Sequence, residues 1–384
     1  MPDSQLEPAA RNQIENLRSF KMVGFLNKKN IPLCRGVAAA VIFFLLAAPS
    51  TSYAQGKVSA ESDTLLNTAI IATVNQQYQL ALTTIDQMIA ANPEDALAYL
   101  FRAATLQSMM LDYEDYSLGP EMLAVLKECR KLAEAGMRKN AKDPWPQFYL
   151  GSAFGYESFY VSKQGNFLSA LQLGLRSIKY FENAVRLEPQ LYDAYLAIGT
   201  YKYYRSILTN KIKLPFVADE REEGITMVKL AASQGKYSRF AALNGLVWIL
   251  LDAQRVEEAK AITDSVLSIY PQSRFFLWGA AECARKLGQR ETALDHYNTI
   301  MATLRSENKL TSYLEAMARS KIARMAYDTG EQEQGCAEAA YLRELAISSH
   351  PRKKDLEKKI EDLWESCPAE LRSSNSHGLQ RSGR

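Results

Sequence analysis

The stretch Ser177–Tyr204, SIKYFENAVRLEPQLYDAYLAIGTYKYY, combines large and small apolar residues at helical spacing. Phe181 and Ala184 lie three positions apart, Pro189 follows them, and Gly199 lies within a second apolar run. Residues three or four apart share one face of a helix, and proline favours a helix end. The stretch therefore predicts two helices packed antiparallel, with the small Gly199 at a helix crossing.

The same arrangement of small, large and turn-forming residues recurs along the chain. Its best second copy spans Arg274 to about Glu307, with Gly288 between two helical runs. Glycine suits such a turn because a positive φ costs it little. The apolar positions of this copy are Leu277, Ala280, Ala281, Ala284, Ala293 and Tyr297. Partial copies contain Ala81, Ile85 and Pro93; Leu243, Leu246, Leu250, Ala259 and Pro271; and Ile322, Ala323, Ala326 and Gly330.

This spacing resembles the tetratricopeptide repeat, a module of about 34 residues that folds as an antiparallel helix pair. In the first stretch, Tyr195 and the Ile198-Gly199 pair follow the proline at the spacing of the repeat. The resemblance implies an all-α fold, a right-handed superhelical solenoid of antiparallel helix pairs over most of residues 63–367. A generic amphipathic helical bundle is the alternative, but a bundle does not need proline and glycine in phase with the small residues.

Helical apolar spacing continues from about Leu65 to Leu363, and no alternating strand pattern interrupts it. We count about seven helix pairs and a capping helix near Asp355–Glu365, which is charged on one face. One pair cannot bury its apolar face alone, so neighbouring pairs must stack. Gly119–Asn140 and Gly165–Glu188 each predict a second helix longer than the repeat requires.

The N-terminal region has the pattern of a secretory signal peptide. Residues 36–48, GVAAAVIFFLLAA, are uncharged, and the small residues Ser52 and Ala54 follow. The basic residues nearest before the run are Lys28, Lys29 and Arg35. A membrane span needs about 20 apolar residues, which is more than this run provides.

These features predict cleavage after Ala54 and a periplasmic or secreted protein with no stable membrane insertion. The predicted segments are an N-terminal extension with signal peptide (1–54), a short linker (55–62), the repeat domain (63–367) and a disordered tail (368–384). An uncleaved membrane anchor or a buried core helix is the alternative for the apolar run. Either Met1 or Met22 could be the start.

The charge of the predicted mature chain is balanced. Residues 1–54 hold six of the 46 basic and three of the 43 acidic residues, which leaves 40 of each. No basic stripe with interleaved aromatic residues remains, so the sequence does not favour nucleic acid as a partner.

Four cysteines follow the predicted signal peptide, and an oxidising compartment permits disulfides. Cys336 and Cys367 lie 15 and 16 residues from Pro351, on the two helices of one predicted hairpin. The antiparallel register brings them side by side, so we expect a Cys336–Cys367 disulfide. Cys129 and Cys283 lie in distant repeats and are expected to be buried as small hydrophobic residues.

The sequence contains no recognisable catalytic constellation. None of the three histidines, His296, His350 and His377, pairs with another ligand at metal-site spacing. Phosphate-binding glycine loops and a nucleophile elbow are missing too. Acidic residues at 219–223 are typical of the first turn of a helix. We therefore expect a non-enzyme without cofactor or metal.

Aromatic residues are concentrated between Trp145 and Tyr204. Tyrosine suits a surface that is wet in the free protein and buried in a complex. In the tetratricopeptide family the first helix of each pair lines a concave face that binds peptides and proteins. The resemblance places these residues on that face: Tyr156, Tyr203, Tyr204, Trp248, Trp278, Arg285 and Tyr327. Core packing or neutral surface is the alternative for each residue singly.

The segment Ile207–Asp219, ILTNKIKLPFVAD, is longer than a repeat turn needs. It is interpreted as an insertion folded back on the adjacent helices. The alternative is a lid or docking loop beside the tyrosines, since loops on rigid scaffolds often carry function.

These observations predict a non-catalytic scaffold or adaptor of the cell envelope that binds a protein or peptide on the concave face. The alternative is a periplasmic binder of a small molecule or lipid that acts as an accessory transport component, since an aromatic groove could hold such a ligand. The sequence leaves the partner and the oligomeric state open.

Overall fold

The computed structural model describes residues 60–211 and 218–372. Within these ranges the chain forms α-helices and one short 3-10 helix, Tyr192–Ala194, and no strand. The helices are α1 Ala60–Val74, α2 Tyr78–Ala91, α3 Ala96–Asp112, α4 Gly119–Lys139, α5 Pro144–Lys163, α6 Phe167–Leu187, α7 Tyr195–Lys211, α8 Arg221–Gln234, α9 Arg239–Asp252, α10 Val256–Leu267, α11 Arg274–Lys286, α12 Arg290–Ser306, α13 Ser312–Asp328, α14 Gln332–Glu344 and α15 Lys353–Glu365.

Consecutive helices pack against each other as antiparallel pairs, from α1 with α2 to α13 with α14. The described residues thus contain seven pairs, and α15 covers the last one. This arrangement confirms the predicted all-α solenoid and the capping helix near Asp355–Glu365. Helices α4 and α6, with 21 residues each, are the two long second helices that the sequence predicts.

Side-chain caps and glycines define several helix ends. Asp95 and Asp143 accept hydrogen bonds from the backbone N–H groups of Leu97 and Trp145, both at 3.0 Å, at the starts of α3 and α5. Gly288 has a φ of 69° in the turn between α11 and α12, the conformation for which glycine is suited.

Small residues allow close approach where helices cross. Gly199 of α7 faces Gly224 of α8 so closely that a Cβ on Gly199 would lie 2.6 Å from the Gly224 carbonyl oxygen. A Cβ on Gly151 of α5 would lie 3.1 Å from the Phe181 ring of α6. Gly199 therefore lies at a helix crossing, as the sequence predicts, but the predicted partner is wrong. Its close partner is α8, and the two helices of the Ser177–Tyr204 stretch, α6 and α7, belong to different pairs.

The solenoid winds tightly enough for its N-terminal pairs to contact its C-terminal pairs. Ser273 Oγ, just before α11, donates a 2.8 Å hydrogen bond to the Val74 carbonyl, at the end of α1. Tyr113, after α3, donates to Glu307, after α12, at 3.2 Å. The first contact joins pairs that are five apart along the chain, and the second joins pairs that are four apart. We call this contact line the seam; it comprises residues 74–80 and 109–118 on one side and residues 273–274, 307–309 and 350 on the other.

The inner side of the superhelix is filled by its own side chains. Tyr237, before α9, packs edge-on against Phe101 of α3 and Trp145 of α5, with ring centroids 5.7 and 5.8 Å apart. Its hydroxyl donates to Asp63 of α1 at 3.0 Å. A single apolar cluster accordingly runs from α1 to α11, and inner helices are buried nearly all round.

Candidate binding site

Three of the predicted concave-face tyrosines are in the core. Tyr156, Tyr203 and Tyr204 are only 1%, 2% and 6% exposed. Tyr203 donates a 2.8 Å hydrogen bond to Asp252 at the end of α9, and its ring packs edge-on against Tyr204. This burial corrects the expectation that the three residues line an open groove. The tight winding brings neighbouring inner helices over them.

The other four predicted residues are half-buried and already have partners within the chain. Trp278 packs against the Tyr297 ring, with centroids 6.0 Å apart. Arg285 is ion-paired with Glu282 at 3.1 Å. Tyr327 packs against Gly335. Trp248 packs against the main apolar cluster. The described residues therefore do not bring the seven together into one concave binding surface.

The cysteines are arranged as the sequence predicts. The Cys336 and Cys367 sulfurs are bonded at 1.97 Å, with Cα atoms 5.2 Å apart, and join α14 to the end of α15. Cys129 and Cys283 are buried free thiols. Burial raises the pKa of Cys129 to about 12, so this thiol is protonated and inert at neutral pH.

Several predicted segments lie outside the described residues. They are the signal peptide (1–54), most of the linker, the Leu214–Phe216 part of the insertion, and the tail after residue 372. The end of the linker, from Ala60, belongs to α1.

A buried ionic cluster lies at the seam. Arg274, which is 1% exposed, donates to Asp112 at 2.6 Å and to both oxygens of Glu307 at 2.6 and 2.8 Å. Tyr78 donates to Asp112 at 3.0 Å. Burial opposes the charge of Arg274, but the hydrogen bonds and charge of Asp112 outweigh it and raise the pKa of the guanidinium. The cluster joins the ends of α3 and α12 to the start of α11.

A second polar cluster extends the seam toward α15. His350 Nε2 lies 3.2 Å from Glu114 Oε2, and the His350 ring stacks on Tyr313 with centroids 3.7 Å apart. The backbone N–H of Arg352 donates to His350 Nδ1 at 3.0 Å, so Nε2 carries the proton and donates to Glu114. Burial alone would raise the pKa of Glu114, but Lys163 and His350 lower it to about 2.

Beside the Arg274 cluster the seam opens into a cleft of about 650 Å³, which we call the seam pocket. Its walls come from the α1–α2 turn, the end of α3 with the following turn, and the α12–α13 turn. The lining residues are Gln76, Gln77, Tyr78, Gln79, Leu80, Met109, Tyr113, Asp115, Ser117, Leu118, Glu307 and Lys309. The pocket is thus built from segments that are far apart in the sequence: Tyr113 and Glu307, for example, are separated by 194 residues.

The pocket combines apolar, aromatic and polar groups. Leu80 is 49% exposed, and the Tyr113 ring is half-buried. Glutamine side chains can both donate and accept hydrogen bonds. Asp115, Glu307 and Lys309 provide charges at the rim. These groups suit an extended peptide, whose backbone needs amide partners and whose side chains need apolar and charged contacts.

Sequence reasoning missed this site because its residues carry no local motif. The sequence signal that points to it is weak: three glutamines lie within Gln76–Gln79, at the turn between α1 and α2 and the start of α2. Only the winding of the superhelix brings this turn to Tyr113 and Glu307.

In residues 60–211 and 218–372, no group of three or more histidine, cysteine and acidic side chains is arranged to hold a metal ion. Across the same ranges, none of the helices has the length and apolar character to cross a membrane.

The described chain is an all-α helical-repeat protein, a solenoid of antiparallel helix pairs. No protein-family model matches the chain, and no curated protein matches it in sequence. Similar solved structures include a tetratricopeptide repeat protein from Parabacteroides merdae, with a TM-score of 0.34, 11% identity, and coverage of 79% of this chain and 99% of that chain. Yeast Tom70 has a TM-score of 0.32 and 14% identity, over 94% and 75% of the two chains. A human IFIT1 dimer with PPP-AAAA has a TM-score of 0.40 and 12% identity, over 91% and 84%.

Proposed function

We propose that this protein is a non-catalytic interaction scaffold of the cell envelope that binds a protein or peptide in the seam pocket. The observation that carries the proposal is the geometry of this pocket. It is an open cleft with mixed apolar and polar walls, whereas the inner side of the superhelix is filled by Tyr237, Phe101 and Trp145.

Rigid walls favour such a role. The buried Arg274 anchors two of the walls. It binds Asp112, the residue next to Tyr113, on one side and Glu307 on the other. A preformed cleft loses little conformational entropy when a ligand binds. Leu80 and Met109 offer apolar contact area within it, and burial of apolar area is the main source of affinity.

The envelope location rests on the signal-peptide pattern of residues 1–54 and on the Cys336–Cys367 bond. Disulfides persist in oxidising compartments such as the periplasm or the cell exterior. A fusion of residues 1–62 to a reporter enzyme tests this location, because export of the reporter and its cleavage after Ala54 are the expected results.

The binding site is tested by in-cell crosslinking of the tagged protein and a Leu80→Glu variant. Leu80 is 49% exposed in the pocket wall, so the charge should block an apolar contact without disturbing the core. The matched control is Ile269→Glu, because Ile269 is an exposed apolar residue (67%) that does not line the pocket.

We expect a partner that is crosslinked to the wild-type protein and the Ile269→Glu variant and is lost with Leu80→Glu. A partner retained by both variants would place the binding site elsewhere. A partner lost with both would indicate that added surface charge, rather than the pocket, decides capture.

A small-molecule ligand is the second candidate, because the cleft volume of about 650 Å³ lies within the range of about 300–1,000 Å³ that such sites occupy. Native mass spectrometry of the purified protein distinguishes the two candidates. A co-purifying compound that is lost in the Leu80→Glu variant would support this second function and contradict the first.

A further inference from the structure

The aromatic wall of the seam pocket carries a cation of the protein itself. Lys309 Nζ lies 5.2 Å from the centroid of the Tyr113 ring. A cation within about 6 Å of a ring centroid is attracted by the negative face of the ring. Lys309 is exposed, so its ammonium group stays in water while it contacts the ring. The ring is therefore accessible to a cation from the solvent side.

The charges around this ring face favour positive groups. The Tyr113 hydroxyl donates a hydrogen bond to Glu307, whose side chain is 35% exposed, and the exposed Asp115 lines the same pocket. Among the pocket residues of the described chain, two are acidic and Lys309 alone is basic. Arg274 also lies near this ring, with its guanidinium carbon 5.9 Å from the Tyr113 centroid, but it is 1% exposed and paired with Asp112 and Glu307. Lys309 is therefore the cation on the solvent side of the ring.

Lys309 is held only loosely at this position. The side chain is exposed, and its ring contact is of the kind that contributes little where water reaches both groups. A ligand cation can therefore replace it at small cost, and the released ammonium group becomes fully hydrated.

We propose that the seam pocket accepts a lysine or arginine side chain of a bound peptide on the Tyr113 face, and that Lys309 occupies this position in the free protein. This inference rests on the proposed function, because it names the class of peptide that the same pocket takes. The exposed Asp115 supplies negative charge for the ligand, with the exposed part of Glu307 beside it. Gln77 and Gln79 line the same pocket and carry amides that can pair with a peptide backbone.

A peptide-display library selected on the full-length protein tests the inference. Peptides that bind the wild-type protein but not the Leu80→Glu variant are sequenced, and one is labelled with fluorescein for anisotropy titrations. We expect lysine and arginine to be enriched among these peptides. Replacement of the basic residue by acetyl-lysine should weaken binding, because the charge is lost while the length is kept.

Two substitutions separate the role of Lys309 from a general charge effect. Lys309→Ala should increase affinity for the basic peptide about two- to fivefold, because the internal competitor is removed. Lys131→Ala is the control; this lysine is exposed on α4 and paired with Glu128 at 3.0 Å, so the same change in net charge should leave affinity unaltered.

The ring itself is tested with Tyr113→Leu and Tyr113→Phe. Loss of the ring should weaken binding of the basic peptide, and phenylalanine should restore it, since the ring face remains. Equal binding of the lysine and acetyl-lysine peptides, or selection of acidic peptides, would overturn this inference and leave the proposed peptide function intact. Absence of any pocket-dependent peptide would overturn both.

Discussion

At the scale of single residues, close backbone approach depends on a few glycines. A Cβ atom on Gly224 of α8 would lie 2.5 Å from the Gly199 carbonyl oxygen and 2.9 Å from the Tyr203 backbone nitrogen. Both neighbours are backbone atoms, so side-chain rotation cannot relieve the contact. Glycine is needed here because two helices touch, although it lowers helix propensity.

We expect Gly224→Ala to destabilise the protein by about 1–3 kcal/mol, because the added methyl group must push α7 and α8 apart. The control is Gly174→Ala in α6, where the nearest atom is the Ser158 hydroxyl at 3.3 Å. Urea unfolding measures both. A Gly224→Ala variant as stable as the control would contradict the close approach.

Glu282 of α11 is a buried carboxylate with three partners. It accepts hydrogen bonds from Lys321, from Arg285 at 3.1 Å and from Tyr297 at 3.2 Å. Burial alone would raise the pKa of Glu282, but Lys321 and Arg285 lower it from 4.5 to about 2. The folded state therefore releases this proton more readily than the unfolded state.

The stabilisation from Glu282 is present above pH 4.5 and is lost as the pH falls toward 2. Its size is about 3 kcal/mol. We expect Glu282→Gln to be less stable than wild type at pH 7, with the difference shrinking below pH 4.5. Thermal unfolding between pH 7 and 2.5 tests this. Glu258→Gln is the control: Arg255 and Lys229 lower the pKa of Glu258 to about 2 as well, but this carboxylate is solvent-exposed, so water screens its ion pairs and they should contribute little.

At the scale of helices, α15 covers the end of the solenoid. Leu356, Ile360 and Leu363 on one of its faces are buried in the last apolar cluster with Tyr313 and other residues. The face is long enough to seal the apolar side of α13 and α14. The bond between Cys336 and Cys367 fastens the end of α15 to α14.

We expect the double substitution Cys336→Ala/Cys367→Ala to lower stability by about 3 kcal/mol, because the unfolded chain loses a crosslink that closes a 31-residue separation. Cys283→Ala is the control, since it removes a buried sulfur with no crosslink. Thermal unfolding with and without reductant provides the measurement. An unfolding temperature of the wild-type protein that is the same with and without reductant would contradict the prediction.

At the scale of the whole molecule, polar contacts hold successive turns of the superhelix together. Arg274 joins Asp112 and Glu307, and His350 joins Glu114. The C-terminal pairs have their own apolar clusters, separate from the main cluster that runs from α1 to α11. The seam therefore combines apolar contacts, such as Tyr113 against the second cluster, with buried charges.

We expect Arg274→Met to destabilise the protein by about 3–5 kcal/mol, because Asp112 would remain buried without its counter-charge. Hydrogen exchange should increase at the α1–α2 turn as the seam loosens, because Tyr78 of this turn region donates to Asp112, the carboxylate that loses its counter-charge. Arg255→Met is the control, since its ion pairs with Glu222 and Glu258 are solvent-exposed. Unchanged exchange at this turn in Arg274→Met would show that the seam does not depend on the arginine.

The helix pairs could be predicted from the sequence because their signals are local. Phe181 and Ala184 are both buried on one face of α6, and Gly288 adopts the positive φ expected of its turn. The candidate site could not be predicted in this way. Tyr203 has the same local pattern whether it faces a partner protein or Asp252 of its own chain.

The amino-acid sequence by itself determined the helices, their packing as antiparallel pairs, the capping helix and the cysteines that meet in the last hairpin. All of these depend on periodicity and turn residues within a few tens of positions. Only the tertiary structure decided which inner side chains are covered and where an open cleft remains. Small rotations between successive pairs accumulate along the superhelix and bring Arg274 to Asp112, 162 positions away. A local sequence pattern cannot predict the total rotation, because it depends on the packing of every pair in between.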